Sequence, residues 1–356
     1  MQKLEDFKDE INKCSKCGLC QSVCPVYKIT GNDCAVSRGK FVMLDGVLKG
    51  DLKLNKNIDK YLDLCLKCGK CTNFCPSAID VCKIFETAKY EYAKNTLLGK
   101  LIFFLESKYV FGNFINGFKM ITKPFRPKYI SKSNAKVKVL YFKGCVNNLC
   151  PRTDKYIQKI FKNSEIEIIE RDFDCCGQPF LSSGNLKRFE EVKQHNLKMI
   201  DCDFDYILTD CASCESTLKQ YMDVNFISLG ELLKEQDIKF KFSKPVKVTF
   251  HKPCHLENDD FLEPLLKNCE NVEYVKMENY DDCCGFAGEF AVKNSKISRA
   301  ISEKKAENIL NTKTDYVITT CPACILGLYQ GLLSKKNSPK PVSLTYFLSK
   351  AKITSS

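Results

Sequence analysis

The 356-residue chain contains no tryptophan and only three histidines, and it lacks both G-x-G-x-x-G and G-x-x-x-x-G-K-[ST]. A nicotinamide, flavin or nucleotide held in the usual way is therefore not expected, because those phosphates need glycine for close backbone approach at a helix N-terminus. Long hydrophobic runs are also scarce. The most apolar stretch, Leu97-Leu98-Gly99-Lys100-Leu101-Ile102-Phe103-Phe104-Leu105, is interrupted by Lys100, Glu106 and Lys108. It falls well short of the roughly 20 residues that a membrane helix needs. The first residues, Met1-Gln2-Lys3-Leu4-Glu5-Asp6, are charged and lack the apolar core of a signal peptide, so a cytoplasmic location is expected. In that compartment 23 cysteines do not read as a disulfide framework, and cysteines at two-residue gaps read as metal ligands.

Charge is plentiful. Lysine and arginine number 55 against 43 acidic residues, a formal net charge of +12. This excess suits an acidic partner or an anionic membrane surface. The lysines are scattered through amphipathic segments and not gathered into an arm, which argues against nucleic acid.

Two cysteine runs carry the chemistry. Cys14-x2-Cys17-x2-Cys20-x3-Cys24-Pro25 and Cys65-x2-Cys68-x2-Cys71-x3-Cys75-Pro76 each follow the bacterial two-cluster ferredoxin pattern for [4Fe–4S] cubes. The short gaps let successive thiolates reach different irons from one tight loop, whose amide N–H groups can point at the sulfurs. The proline disfavours helix at the last cysteine and turns the chain away. In this pattern the fourth cysteine serves the other cluster. Cys14, Cys17, Cys20 and Cys75 are thus assigned to one cube, and Cys65, Cys68, Cys71 and Cys24 to the other. The competing reading, a pair of zinc knuckles, wants ligands in paired sets and not a doubled three-plus-one run.

Residues 1–95 form the expected cube-binding unit, with a helix at Ser37–Leu48 on the spacing Phe41, Leu44, Val47, Leu48. Residues 96–136 read as an apolar and basic connector that lies on a membrane or a partner, with a linker-like end at Ser131–Lys136. From residue 137 the chain repeats itself, as 137–240 and 241–356. Strands Val137–Phe142 and Val246–Phe250 lead to Cys145 and Cys254. Strands Glu165–Glu170 and Val272–Met277 precede Cys175-Cys176-Gly177 and Cys283-Cys284-Gly285. Helices follow at Leu186–Ile200 and Ile297–Leu310, and strands Tyr206–Thr209 and Tyr316–Thr319 enter Cys211-x2-Cys214 and Cys321-x2-Cys324. Equivalent cysteines are offset by 109, 108 and 110 residues, which is the mark of a duplicated domain. Alternating strands and helices predict parallel sheets with the cysteines at the carboxyl ends of strands. The fold class expected is α+β, a helical two-cluster domain followed by duplicated α/β cysteine-rich domains.

Each repeat supplies five cysteines: Cys145, Cys175, Cys176, Cys211 and Cys214, then Cys254, Cys283, Cys284, Cys321 and Cys324. Adjacent cysteines diverge, and a helix starting at C-x2-C favours thiolates there. Five thiolates exceed the needs of one tetrahedral zinc, so one or two further iron–sulfur clusters are expected, with zinc the alternative in one repeat. His251 and His255 flank Cys254 and are the candidate catalytic residues, as hydrogen-bond donors to a cluster, proton carriers or ligands. They mark the second repeat as the one expected nearest the terminal acceptor. His195 lies in a charged helix and reads as a surface residue. Cys34, Cys82, Cys150, Cys202 and Cys269 fall outside the motifs and read as small buried hydrophobes, Cys82 being the expected exception.

Two cube motifs followed by two Cys…Cys-Cys-Gly…Cys-x2-Cys repeats resemble the cysteine-rich (CCG) iron–sulfur family over nearly the whole chain. That family includes iron–sulfur subunits of glycolate oxidase and of anaerobic glycerol-3-phosphate dehydrogenase, lactate-utilisation proteins and a subunit of heterodisulfide reductase. His251-Lys252-Pro253-Cys254-His255-Leu256, Cys283-Cys284-Gly285-Phe286-Ala287-Gly288 and Ser37-Arg38-Gly39-Lys40 resemble the glycolate oxidase subunit most. The resemblance implies an iron–sulfur subunit that takes electrons from an FAD-binding dehydrogenase partner acting on glycolate or lactate and passes them toward quinone. Peripheral attachment to the inner face of the cell membrane through residues 97–128 would serve that acceptor. In heterodisulfide reductase such repeats bind non-cubane [4Fe–4S] clusters. Glycolate oxidase subunits often carry thinned cysteine sets, whereas both sets here are complete, which keeps a thiol–disulfide reductase open. A zinc-stabilised scaffold is the third reading.

Overall fold

The computed structural model describes residues 2–97, 99–101, 103, 129, 132, 134–150 and 152–354. The N-terminal part is helical. Its longer helices are Ser37–Leu48, Lys56–Asp63 and Val81–Lys94. Two of them start on polar caps that satisfy otherwise unpaired N–H groups: Asn55 Oδ1 accepts from Asn57 and Ile58, and Asp80 Oδ1 accepts from Lys83. Their apolar faces close a core of Leu4, Phe7, Ile11, Phe41, Leu44, Ile58, Leu62, Ile84 and Phe85. Between the helices lie the two cysteine loops, which share an unusual backbone. Lys16 and Gly18 in one loop, and Lys67 and Gly69 in the other, all have positive φ. Positive φ at lysine costs energy and persists where surrounding structure demands it, as at ligand-binding loops.

Two parallel sheets follow. The first runs β2-β1-β3-β4, with β1 Val137–Phe142, β2 Ile166–Glu170, β3 Tyr206–Thr209 and β4 Phe226–Ser228. The second repeats that order as β6-β5-β7-β8, with β5 Lys239–Phe250, β6 Cys269–Tyr274, β7 Tyr316–Thr319 and β8 Lys340–Ser343. A short β9, Lys352–Thr354, pairs antiparallel with the start of β5. The first strand of each repeat has its second strand on one side and its third on the other, so the chain reverses direction between them. Open α/β sheets place their sites at that switch point, beyond the carboxyl ends of the strands.

The expected α+β duplication is therefore present, and most elements lie where the sequence placed them. Two strands do not: β5 starts at Lys239, ahead of the expected Val246. Val272–Met277 was the expected span, yet β6 begins at Cys269 and ends at Tyr274 because it pairs along β5 from Phe240↔Cys269 to Val248↔Tyr274. Beyond it Met277 is buried among Cys284, Cys321 and Cys324. The repeats share one core that includes Val139, Tyr141, Leu208 and Leu229 of the first with Val248, Phe261, Leu265 and Phe347 of the second. Buried Asp210 joins them further, accepting from Asn147 Nδ2 at 2.6 Å and Thr345 Oγ1 at 3.0 Å. No helix among the described residues is long and apolar enough to cross a membrane. The interfacial helix expected over residues 97–128 lies almost wholly outside the described residues; of those described, Leu97 is 88% and Leu101 is 54% exposed.

Candidate metal centres

The N-terminal cysteines border two adjoining hollows. Cys24, Cys65, Cys68 and Cys71 line one, of about 400 Å³, and Cys14, Cys17, Cys20 and Cys75 line the other, of about 410 Å³, with Cys71 at the boundary. Each hollow is thus lined by the four cysteines that the spacing groups together, and Cys71 reaches both. The segment Ser37-Arg38-Gly39-Lys40 lies between the hollows and serves both. The Arg38 backbone hydrogen-bonds Cys20, and the Ser37 side chain hydrogen-bonds Cys71. Burial, and next the neighbouring Cys65, push the Cys71 thiol up to about 12. The Lys67 N–H points at Cys65 Sγ, 3.5 Å away.

Two buried cations attend the hollow of Cys24, Cys65, Cys68 and Cys71, and sequence reasoning gave neither a role. Lys40 is 1% exposed and donates to the Leu64 carbonyl at 2.7 Å, with its ammonium 5.2 Å from the Phe85 ring centre. Burial depresses its pKa, while the charges of Cys65 and Cys24 oppose that shift. Lys67 is buried beside it, with Nζ 3.8 Å from Glu86 and 3.4 Å from the Cys82 carbonyl. The only sequence signal was a lysine at an apolar helix position. Cys82 borders the same hollow, as the exception expected of it. Cys269 is buried as expected, but Cys150 is exposed, because it sits in the turn after the short helix Cys145–Asn148.

In the repeats, the C-x2-C cysteines open helices Ala212–Leu218 and Pro322–Leu332, with Cys211 and Cys321 at the caps. The adjacent cysteines, expected to diverge, instead touch each other, Cys175 with Cys176 and Cys283 with Cys284, while reaching different further partners. Cys175 Sγ lies 3.7 Å from Cys145, whereas Cys176 contacts Cys214. In the second repeat Cys283 contacts Cys254, and Cys284 contacts Cys324. Hydrogen bonds from Cys283 and then Cys324 bring Cys284 down to about 5, and Cys176 is lowered in the same way by Cys175 and Cys214. The glycines that follow have φ of +102° at Gly177 and +83° at Gly285. A Cβ there would stand 2.5 Å from the Phe189 ring or 2.7 Å from the Ser298 carbonyl, so both loops need glycine. Side chains that sequence reasoning missed fasten these loops. Asn196 and Tyr221 bond the carbonyls of Cys175 and Cys176, and Ser302 bonds that of Cys284.

The two repeats meet through their metal-binding loops. Cys211 and Cys321 are in side-chain contact, and Ala212 N donates to the Thr320 carbonyl at 2.9 Å. His255 ties this junction to the N-terminal part. Its Nδ1 pairs with Ser213 Oγ at 3.1 Å, and its Nε2 pairs with the Lys67 carbonyl at 3.0 Å. Burial works against its charge, but the adjacent Cys254, 3.9 Å from Nδ1, holds its pKa up at about 9. His251 is 0% exposed, and neither of its ring nitrogens has a hydrogen-bond partner. His195 is bonded only at the surface, to the Asp172 carbonyl. Cys68 feels the charges of Cys283 and Cys254. The second repeat therefore sits against the hollow of Cys24, Cys65, Cys68 and Cys71, between it and the first repeat.

The 4Fe-4S dicluster domain model matches residues 10–79, and the cysteine-rich domain model matches 139–219 and 248–329. This chain belongs to the CCG-domain iron–sulfur proteins. It is 28% identical to a fumarate reductase (CoM/CoB) subunit of Methanothermobacter marburgensis, over 93% of this chain and 70% of that protein. It is 22% identical to a probable glycolate oxidase iron-sulfur subunit of Bacillus subtilis, over 91% and 89% respectively. A dihydromethanophenazine:CoB–CoM heterodisulfide reductase subunit of Methanosarcina acetivorans is 24% identical, over 92% and 90%. A crystal structure of a hypothetical protein from Helicobacter pylori shares the fold, with a TM-score of 0.53 at 8% identity over 88% of this chain and 68% of that one. The residues fit iron–sulfur clusters. None of the 23 cysteines forms a disulfide, and those of the motifs gather as soft donor sets, with an N–H group and buried cations beside the Cys65 loop.

Proposed function

We propose that this CCG-domain protein is the electron-transfer subunit of a flavin-dependent 2-hydroxy-acid dehydrogenase, glycolate or lactate being its substrate class. A partner protein would bind FAD and oxidise the hydroxy acid, and quinone would be the acceptor. The observation that carries this reading is continuity. Cys71 lines both cube hollows, Cys68 lies within reach of the charges of Cys254 and Cys283, and thiol contacts continue from Cys283 through Cys284, Cys324 and Cys321 to Cys211 of the first repeat. The clusters bound there would supply one-electron transfer. The chain's own residues bury most of the repeat cysteines, place Lys40 and Lys67 beside the cube cysteines, and fix the cube loop to the repeats through His255. Attachment of residues 97–128 to the inner face of the cell membrane would bring the protein to a lipid-soluble acceptor, and the exposure of Leu97 and Leu101 supports it.

One observation favours a second reading. Both repeats keep all five cysteines, and the relative at 28% identity is named a CoM/CoB fumarate reductase subunit. A repeat centre would then bind a substrate sulfur directly and deliver electrons to its S–S bond, as in a thiol–disulfide reductase. The two readings separate in one experiment. The complex is purified anaerobically from the native cell, its flavoprotein is identified, and glycolate, lactate or a disulfide is added. Co-purification of an FAD-binding protein, with bleaching of the iron–sulfur absorption by a hydroxy acid, is expected. A complex that ignores hydroxy acids and is reoxidised by a disulfide overturns the first reading in favour of the second.

A further inference from the structure

The duplication makes the two repeats comparable position by position, and they differ beside the metal-binding loop. Phe142, the last residue of β1, corresponds to His251, the residue following β5. Both side chains are wholly buried. Phenylalanine needs no partner there. Imidazole does, because a buried polar group left unpaired costs about 1–3 kcal/mol. Yet both His251 ring nitrogens lack a hydrogen-bond partner. What stands beside the ring is sulfur: a His251 nitrogen, Cys284 Sγ and Cys324 Sγ all lie within 4.8 Å of one another. Donors held 2.0–2.3 Å from one ion stand roughly 3.5–4 Å apart, so this triad is close to the spacing of a shared metal. The Tyr280 carbonyl faces the ring without meeting full hydrogen-bond geometry, and it accepts the Lys252 N–H at 3.0 Å. That carbonyl is the type of group that orients a ligating imidazole through its second nitrogen.

We infer that His251 is a direct metal ligand, so that the second-repeat centre has a mixed imidazole and thiolate donor set while the first is held by thiolates alone. The inference rests on the reading that the second repeat holds an iron-containing centre. An imidazole is neutral where a thiolate is anionic, so replacing His251 with cysteine would add negative charge and lower the reduction potential of the centre.

The test uses the full chain, purified anaerobically with either natural or 15N-labelled histidine, and reads metal content together with pulsed EPR of the paramagnetic state. Expected is an imidazole-nitrogen coupling that changes with the isotope and persists in His255→Gln. It disappears in His251→Cys, a variant that keeps a ligating side chain, retains its iron and titrates at a lower potential than the wild type. Iron in excess of the two cubes with no isotope-sensitive coupling, or with coupling unchanged in His251→Cys, overturns the ligand assignment and leaves the proposed function standing. Absence of iron beyond the cubes overturns both.

Discussion

Buried charge is the feature of single residues that most shapes this protein, and Lys40 is the clearest case. An ammonium held out of water is expensive unless something negative repays it. Here the repayment comes from Cys24 and Cys65. Lys40→Met keeps the volume and removes the charge, and should lower the reduction potential of the cube assigned to that hollow while leaving the other unchanged. A redox titration followed by EPR checks this, and an unshifted potential would reduce Lys40 to a packing residue. Glu86 gives a pH test. Burial first, against the pull of Lys67, raises its pKa from 4.5 to about 7. A raised carboxylate makes the folded state bind the proton more tightly, so its contribution to stability is complete below pH 4.5 and is lost as pH rises to about 7. Glu86→Gln should flatten that fall, by an amount on the order of 1–3 kcal/mol between pH 5 and 8, in denaturant midpoints of the loaded protein. These roles were not legible in the sequence. A lysine or glutamate on a helix reads as solvated, and only the tertiary fold shows that Lys40 and Glu86 face inward.

At the scale of elements, ion pairs hold the N-terminal helices against the repeats. Lys89, on helix Val81–Lys94, is almost fully buried. It pairs with Asp63 at 2.7 Å and Glu289 at 3.3 Å, and donates to the Ser182 carbonyl at 3.0 Å. One side chain thus reaches the N-terminal part and both repeats. Removing one partner from a buried network costs about 3–5 kcal/mol, because the remaining charges stay buried and uncompensated. Lys89→Met should therefore loosen the docking, seen as faster proteolysis between residues 94 and 137 and a lower unfolding midpoint with the N-terminal iron retained. Unchanged protection would show that the shared apolar surface suffices. Much of the secondary structure was readable here. The helix Ser37–Leu48 and strands Tyr206–Thr209 and Tyr316–Thr319 fall where periodicity placed them, since local pattern and burial agree. The first half of β5 was not readable, because Lys239, Lys241, Ser243 and Pro245 disguise a strand that only β6 and β9 make plain.

For the whole molecule, the repeated cysteine spacing was the strongest signal, and the structure adds the order in which the donor sets adjoin. Spacing could pair Cys24 with Cys65, Cys68 and Cys71, because that crossing is inherent in the motif. It could not show that the repeats meet through Cys211 and Cys321, since residues 110 positions apart are brought together only by the packing of the two sheets. The account's central claim is that these sets hold iron–sulfur clusters and form one electron path. Its most direct measurement is iron, zinc and acid-labile sulfide per chain in anaerobically purified protein, for the wild type, Cys68→Ser, Cys176→Ala and Cys284→Ala. The account predicts about eight irons from the two cubes, further iron from the repeats, loss of one cube's signal in Cys68→Ser, and loss of iron beyond the cubes in each alanine variant. Zinc filling the cube motifs with iron near zero would contradict it.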